Sequence, residues 1–216
     1  WEALARRYSG NATVVGMGLK NEPRRACAGR SWGGAGSLCD ISFLNVSSHS
    51  GTCMEASWAS GPMQLQYRIA VERAGRAILE QNPRMLISIC GLDYCTDLAD
   101  VAQFPPDLPR ANVVYEAHEY PWYHDPVTRR SNTLYTCKLE HQWGHLLRAG
   151  TAPVVITEFG MGHDSIGNPG DGQRWFDQMS SYIQASGPLG GHGGLDWMYW
   201  QLAGINVAGT SREPDS

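Results

Sequence analysis

Apolar positions along the chain fall into two kinds of segment. Residues 14–19 form a short apolar run, the length and character of a strand buried on both faces. Residues 85–92, 112–120, 153–159 and 195–201 repeat it, rich in Val, Ile, Tyr and Trp. Between these runs the period changes. Over 62–81, Leu65, Ile69, Ala70, Ala74, Ala77 and Ile78 fall on one helical face, and Pro62 suits a first turn. Residues 136–149 and 172–185 also read as helices, stopped by Gly150 and near Gly187. Residues 1–8 read as the end of a helix capped at Gly10. Only a short helical patch at 97–102, before Pro105-Pro106, separates the second and third strands. Residues 23–60 are rich in Gly, Ser and Cys and have no period, which predicts a long loop. The alternation predicts an α/β fold with five parallel strands, in a single domain over residues 1–216. In such folds chemistry gathers just past the carboxyl ends of the strands.

Composition narrows the class. The chain is 42% hydrophobic and 18% charged, which excludes a disordered polymer. A net charge of −4 lacks the basic balance of a nucleic-acid binder. No apolar run approaches the ~18 residues of a membrane span. Eight tryptophans offer flat rings that suit sugar faces, although core filling is the commoner use of Trp. Cys27, Cys39, Cys53, Cys90, Cys95 and Cys137 make an even set that suits disulfides, with the pairing open. Cys90 and Cys95 lie close together, but no second close pair completes a zinc pattern. Asn11-Ala12-Thr13 and Asn45-Val46-Ser47 are glycosylation sequons, Asn45 being the better placed. These features together predict a glycoprotein of the secreted or endomembrane compartment, although no signal-peptide pattern opens the sequence at Trp1.

The polar residues past each strand carry the candidate chemistry. The first strand is followed by Lys20-Asn21-Glu22-Pro23 and the fourth ends in Thr157-Glu158-Phe159-Gly160. Two carboxyl groups brought together from different strands are the minimum equipment for glycoside hydrolysis, one donating a proton and the other attacking. Glu116, His118 and Tyr120 share one face of the third strand. A metal reading would join His118 to Glu116 or His124, but lacks a second His at ligand spacing. In the last strand Trp200 sits at the carboxyl end, with Trp197 and Tyr199 on the opposite parity. Gly16-Met17-Gly18 lacks the third Gly of a dinucleotide motif, and Gly190-Gly191-His192-Gly193-Gly194 precedes a strand rather than a helix. No Gly-x-Ser-x-Gly elbow is present. No cofactor and no metal are expected.

Four blocks, in order, resemble glycoside hydrolase family 5, the cellulase family, and most closely its plant-type cellulase-like members. They are residues 14–24 with Asn21-Glu22-Pro23, residues 113–120 with His118-Glu119-Tyr120, residues 153–160 with Glu158-Phe159-Gly160, and residues 195–200 ending in Trp200. The resemblance implies a (β/α)8 TIM-barrel fold, here truncated to strands 4–8, and a retaining mechanism. It implies Glu22 as acid/base and Glu158 as nucleophile. Asn21 matches a contact to the sugar 2-hydroxyl, and His118 and Tyr120 match the partners of the acid/base and nucleophile respectively. Trp200 matches a stacking platform, and Trp122 and Tyr123 are further candidate sugar contacts. The family's early-strand Arg and its His from strand three have no counterpart, and five strands cannot close an eight-stranded barrel. The expected function is endo-β-1,4-glucanase-like hydrolysis of β-linked oligo- or polysaccharide, with the oligomeric state open. A non-catalytic carbohydrate-binding relic is the alternative of a different class. A β-mannanase or glycolipid β-glycosidase on the same scaffold is the third reading.

Overall fold

The structure is a computed structural model and describes residues 1–23, 57–59, 63, 66–161, 170–184 and 195–200. Five strands are present among them: β1 (Gly16–Gly18), β2 (Leu86–Cys90), β3 (Val113–Glu119), β4 (Val154–Phe159) and β5 (Trp197–Tyr199). They form one sheet in the order β1-β2-β3-β4-β5, each strand parallel to the next. A parallel pair needs a crossover between its strands, and the intervening helices supply it. The result is a half-barrel, five consecutive strand units of a (β/α) barrel.

Strand alternation sorts the two faces. Met17, Ile87, Ile89, Val113, Tyr115, Ala117, Val154 and Ile156 point to the helix layer and are buried. There they meet Val71 and Ile78 of the helix Tyr67–Leu79, Tyr135 and Leu139 of the helix Asn132–Leu139, and Trp175 and Met179 of the helix Asp171–Gln184. Full burial of each large apolar side chain is worth roughly 1.5–3 kcal/mol, so this face holds the fold. The other face carries Gly16, Gly18, Ser88, Val114, Glu116, Val155 and Thr157, none of them fully buried. That face is small and polar toward the carboxyl ends of its strands.

The strand reading survives with shorter bounds. β1 pairs over three residues, although its ladder bonds reach the Val15 carbonyl and the Leu19 amide. The predicted helix at 62–81 begins at Tyr67, because Gln66 is extended at φ −79° and ψ 106°. Pro62 and Leu65 lie outside the described residues. The helix predicted at 136–149 starts at Asn132, capped by the Ser131 hydroxyl, and widens into a π turn over Glu140–Gly144 before His145–Arg148. A Cβ on Gly144 would lie 2.3 Å from the Tyr182 hydroxyl, which donates to Glu140 Oε1 at 2.9 Å. Only glycine admits that ring against the widened turn. The long loop at 23–60, the Asn45 sequon, the glycine run at 190–194 and Cys27, Cys39 and Cys53 fall largely or wholly outside the described residues. Among the described residues no helix is long and apolar enough to cross a membrane.

Candidate active site

The carboxyl ends of β1, β3 and β4 bring four predicted side chains together. Glu22 lies just past β1. Its carboxylate Oε1 is 3.1 Å from His118 Nδ1 and accepts from the Tyr123 hydroxyl at 3.0 Å. Glu158 of β4 accepts from the Tyr120 hydroxyl at 2.8 Å, and its Oε2 lies 3.5 Å from the same His118 Nδ1. His118 is thus buried between the two carboxylates, which both keep 19% of their side-chain surface exposed. One oxygen from each carboxylate and a His118 ring nitrogen all lie within 4.8 Å of one another.

The imidazole is oriented from behind. His118 Nε2 is 3.1 Å from Thr157 Oγ1. An ionised carboxylate only accepts, so His118 Nδ1 donates to Glu22 when Glu22 is charged. Glu22 sits at φ 43°, a left-handed backbone that a non-glycine residue adopts only when its surroundings hold it there. The two hydroxyls that serve the carboxylates stay protonated. Burial, and then the neighbouring Glu158, push Tyr120 well above its usual pKa, and burial with Glu22 does the same for Tyr123.

Aromatic rings border the pair. Trp122 stacks on Tyr120 at 4.5 Å and 12°, and Tyr123 meets Tyr120 edge-on at 5.4 Å. Trp122 is 50% exposed and Trp200 53%, whereas Trp143 in the core is fully buried. Trp200 follows β5, and its amide donates to the Phe159 carbonyl at 2.9 Å. A Cβ on Gly160 would come within 2.0 Å of the Trp200 carbonyl, so glycine is required where β4 passes β5. Trp197 and Tyr199 turn the other way, edge-on to Phe159 at 5.4 and 5.5 Å. Asn21 is exposed beside Glu22, and neither Asn21 nor the Trp200 side chain bonds the carboxylates among the described residues.

Two metal readings change. His124 does not join His118: it bonds Glu119 Oε2 at 2.7 Å on the opposite, helix-facing side of β3. Cys90 and Cys95 approach Glu116 and His118, but they are joined to each other in a disulfide and so offer no thiolate. The only set of acidic and imidazole donors reaching the open site is Glu22, His118 and Glu158 itself among the described residues.

The sequence marks Tyr123 as a candidate sugar contact and gives Thr157 no role. The structure puts both on the site's hydrogen bonds. Tyr123 reaches Glu22 because Pro121–Tyr123 fold into a 3-10 turn directly after β3. That turn rests on a buried network: Lys138 Nζ donates to the Tyr123 carbonyl at 2.8 Å, while Glu119 takes bonds from His124 and from Trp143 Nε1.

Burial pushes Lys138 down from its usual 10.5 to about 8. Between those values the unfolded chain binds the proton and the folded one does not, so this group makes stability rise with pH across the window. Urea unfolding of the protein and of Lys138→Met at pH 7 and pH 10 checks it. The difference between them should move by about 2 kcal/mol in the wild type's favour at the higher pH. An unchanged difference would show that Lys138 titrates normally.

Comparison with known proteins bears on the family and the fold. The sequence pattern of the family described as cellulase (glycosyl hydrolase family 5) matches residues 1–204. The chain is 30% identical over 221 residues to an endoglucanase of Paenibacillus polymyxa, covering 94% of this chain and 45% of that protein. It is 26% identical over 252 residues to endoglucanase G of Acetivibrio thermocellus, covering 93% and 40% respectively. A hyperthermophilic endocellulase from the archaeon Pyrococcus horikoshii superposes with a TM-score of 0.70 at 22% identity, over 98% of this chain and 55% of that one. That endocellulase has also been solved in complex with cellotetraose. The chain spans about half the length of the relatives it matches. By its sequence pattern across nearly its whole length, the chain belongs to the cellulase family, glycosyl hydrolase family 5.

Proposed function

We propose that the protein is a retaining β-glycosidase, one catalytic domain that cleaves β-1,4-linked glucan chains internally. The observation that carries this reading is the proximity of the two carboxylates, with facing oxygens within 4.8 Å. Retaining glycosidases hold their carboxyl groups about 5–5.5 Å apart, whereas inverting ones need roughly 6.5–9.5 Å to admit a water. The relatives named as endoglucanases support glucan as the substrate class.

In this reading Glu158 attacks the anomeric carbon as Glu22 gives its proton to the departing glycosidic oxygen. A glycosyl ester on Glu158 results. Glu22, now a carboxylate, takes a proton from water, whose oxygen attacks the same carbon and releases Glu158. The Tyr120 hydroxyl orients Glu158 and stabilises its charge. His118, touching both carboxylates, lets the proton on Glu22 and the charge on Glu158 exist side by side. Trp122 and Trp200 offer flat apolar faces to sugar C–H groups, and Asn21 is placed for a sugar hydroxyl.

The disulfide Cys90–Cys95 supports a secreted or endomembrane setting. Asn11 of the first sequon is exposed, its side chain accepting from the Thr13 amide at 3.0 Å, and is open to glycosylation.

Proton NMR of the first products from cello-oligosaccharide tests the reading. The β anomer should appear first and equilibrate later. Initial α anomer would mean inversion. Binding of cellotetraose with no turnover would favour a non-catalytic carbohydrate-binding role instead.

A further inference from the structure

We infer that the loop closed by the Cys90–Cys95 disulfide is a positioning device for the Glu22 carboxyl, working through Tyr94. This rests on the acid/base role proposed for Glu22.

Both cysteines are buried, Cys90 at the end of β2 and Cys95 five residues on. Between them the chain turns left-handed: Asp93, Tyr94 and Cys95 have φ of 50°, 65° and 62°. Three successive non-glycine residues do not rest in that region unless something holds them. The disulfide closes the turn covalently. The base of the loop is pinned separately, by paired backbone bonds of 3.0 Å between Leu92 and Asp97 and by burial of Leu92.

The tip of the loop reaches the site in two ways. The Tyr94 amide donates to the Pro23 carbonyl at 3.3 Å, on the residue next to Glu22. The Tyr94 ring lies 5.6 Å from the Tyr123 ring, tilted by 37°. Tyr123 in turn donates to Glu22 Oε1. One residue therefore braces both the backbone beside Glu22 and the ring whose hydroxyl fixes its carboxyl. Glu158 is held otherwise, by its own place in β4 and by Tyr120. Loosening the loop takes the Tyr123 hydroxyl from Glu22 first, while Glu158 keeps Tyr120.

The test compares Tyr94→Ala, which leaves the disulfide and the core alone, with Tyr94→Phe and with the double variant Cys90→Ser/Cys95→Ser. Two substrates are used: cellotetraose, whose leaving group needs a proton, and dinitrophenyl β-cellobioside, whose leaving group does not. Tyr94→Ala and the serine pair should lose roughly tenfold or more in kcat/KM on cellotetraose and much less on the aryl glycoside. Tyr94→Phe, which keeps the ring contact, should restore both. Equal losses on the two substrates would overturn the proposal, because general loosening does not distinguish leaving groups. A second readout needs no turnover. In carbon-13 titrations of the labelled carboxyls, assigned with Glu22→Gln and Glu158→Gln, the Glu22 midpoint should move in Tyr94→Ala while that of Glu158 moves less. An unmoved Glu22 midpoint overturns the positioning role. Wild type inactive on both substrates would sink the hydrolase reading, while the titration would still decide the loop's role.

Discussion

Replacing Glu158 by Gln should abolish turnover on every substrate, a loss on the order of 10⁴-fold or more. The reason is the first chemical step. Among the described residues Glu158 is the carboxylate grouped with Glu22 and His118, their polar atoms within 4.8 Å of one another. Gln keeps the volume and offers a carbonyl to the Tyr120 hydroxyl, so the thermal midpoint should stay close to that of the wild type. The loss then belongs to chemistry rather than folding. Glu158→Ala adds a sharper check. It opens a space on the nucleophile's side, where added azide attacks the anomeric carbon of an activated glycoside in a single displacement. The glycosyl azide should form with inverted configuration. Azide attached with retained configuration, or turnover persisting in Glu158→Gln, would remove Glu158 from the nucleophile's role.

Glu22→Gln should split by substrate. On cellotetraose the loss should reach roughly 10²–10⁴-fold, the usual worth of a positioned acid. On dinitrophenyl β-cellobioside the first step needs no proton, so the glycosyl-enzyme forms quickly and then waits for a water that has lost its base. A burst of dinitrophenolate followed by a slow steady rate is the expected trace. A uniform loss with no burst would mean that Glu22 serves the site without moving a proton. The Gln side chain still meets His118 and Tyr123, so the aromatic border should survive the change.

The strands were legible because each is a short apolar run set off from helix-period segments, and a strand with Val and Ile at its centre has few other ways to fold. The carboxylate pair was legible because both residues sit where such runs end. Parity along β3 was enough to separate His118 from Glu119, one facing the site and the other the helices. Other features left no trace. The left-handed turn at Asp93, Tyr94 and Cys95 contains no glycine, so nothing in its composition announces it. Tyr123 reads as one more aromatic in a loop until the 3-10 turn folds it back over Glu22. The start of the helix at Tyr67 depends on tertiary contacts, since the Tyr67 amide bonds the Ser57 carbonyl at 2.8 Å. Periodicity counts residues on a face and is blind to such a bond. Alternation did sort the last strand: Trp197 and Tyr199 lean on Phe159, and Tyr199 also on Phe176.

The strand order β1-β2-β3-β4-β5 matches the order of synthesis. Each of β2 to β5 leaves the ribosome with its neighbour already made, so the sheet can grow by accretion, one strand and one crossover at a time. The carboxylate pair follows another schedule. Glu22 emerges with the first strand and waits for the third to supply His118 and for the fourth to supply Glu158. A nascent chain stalled after β3 would therefore carry three of the five described strands without the carboxylate pair, which would be completed late, within the few residues that bring out β4.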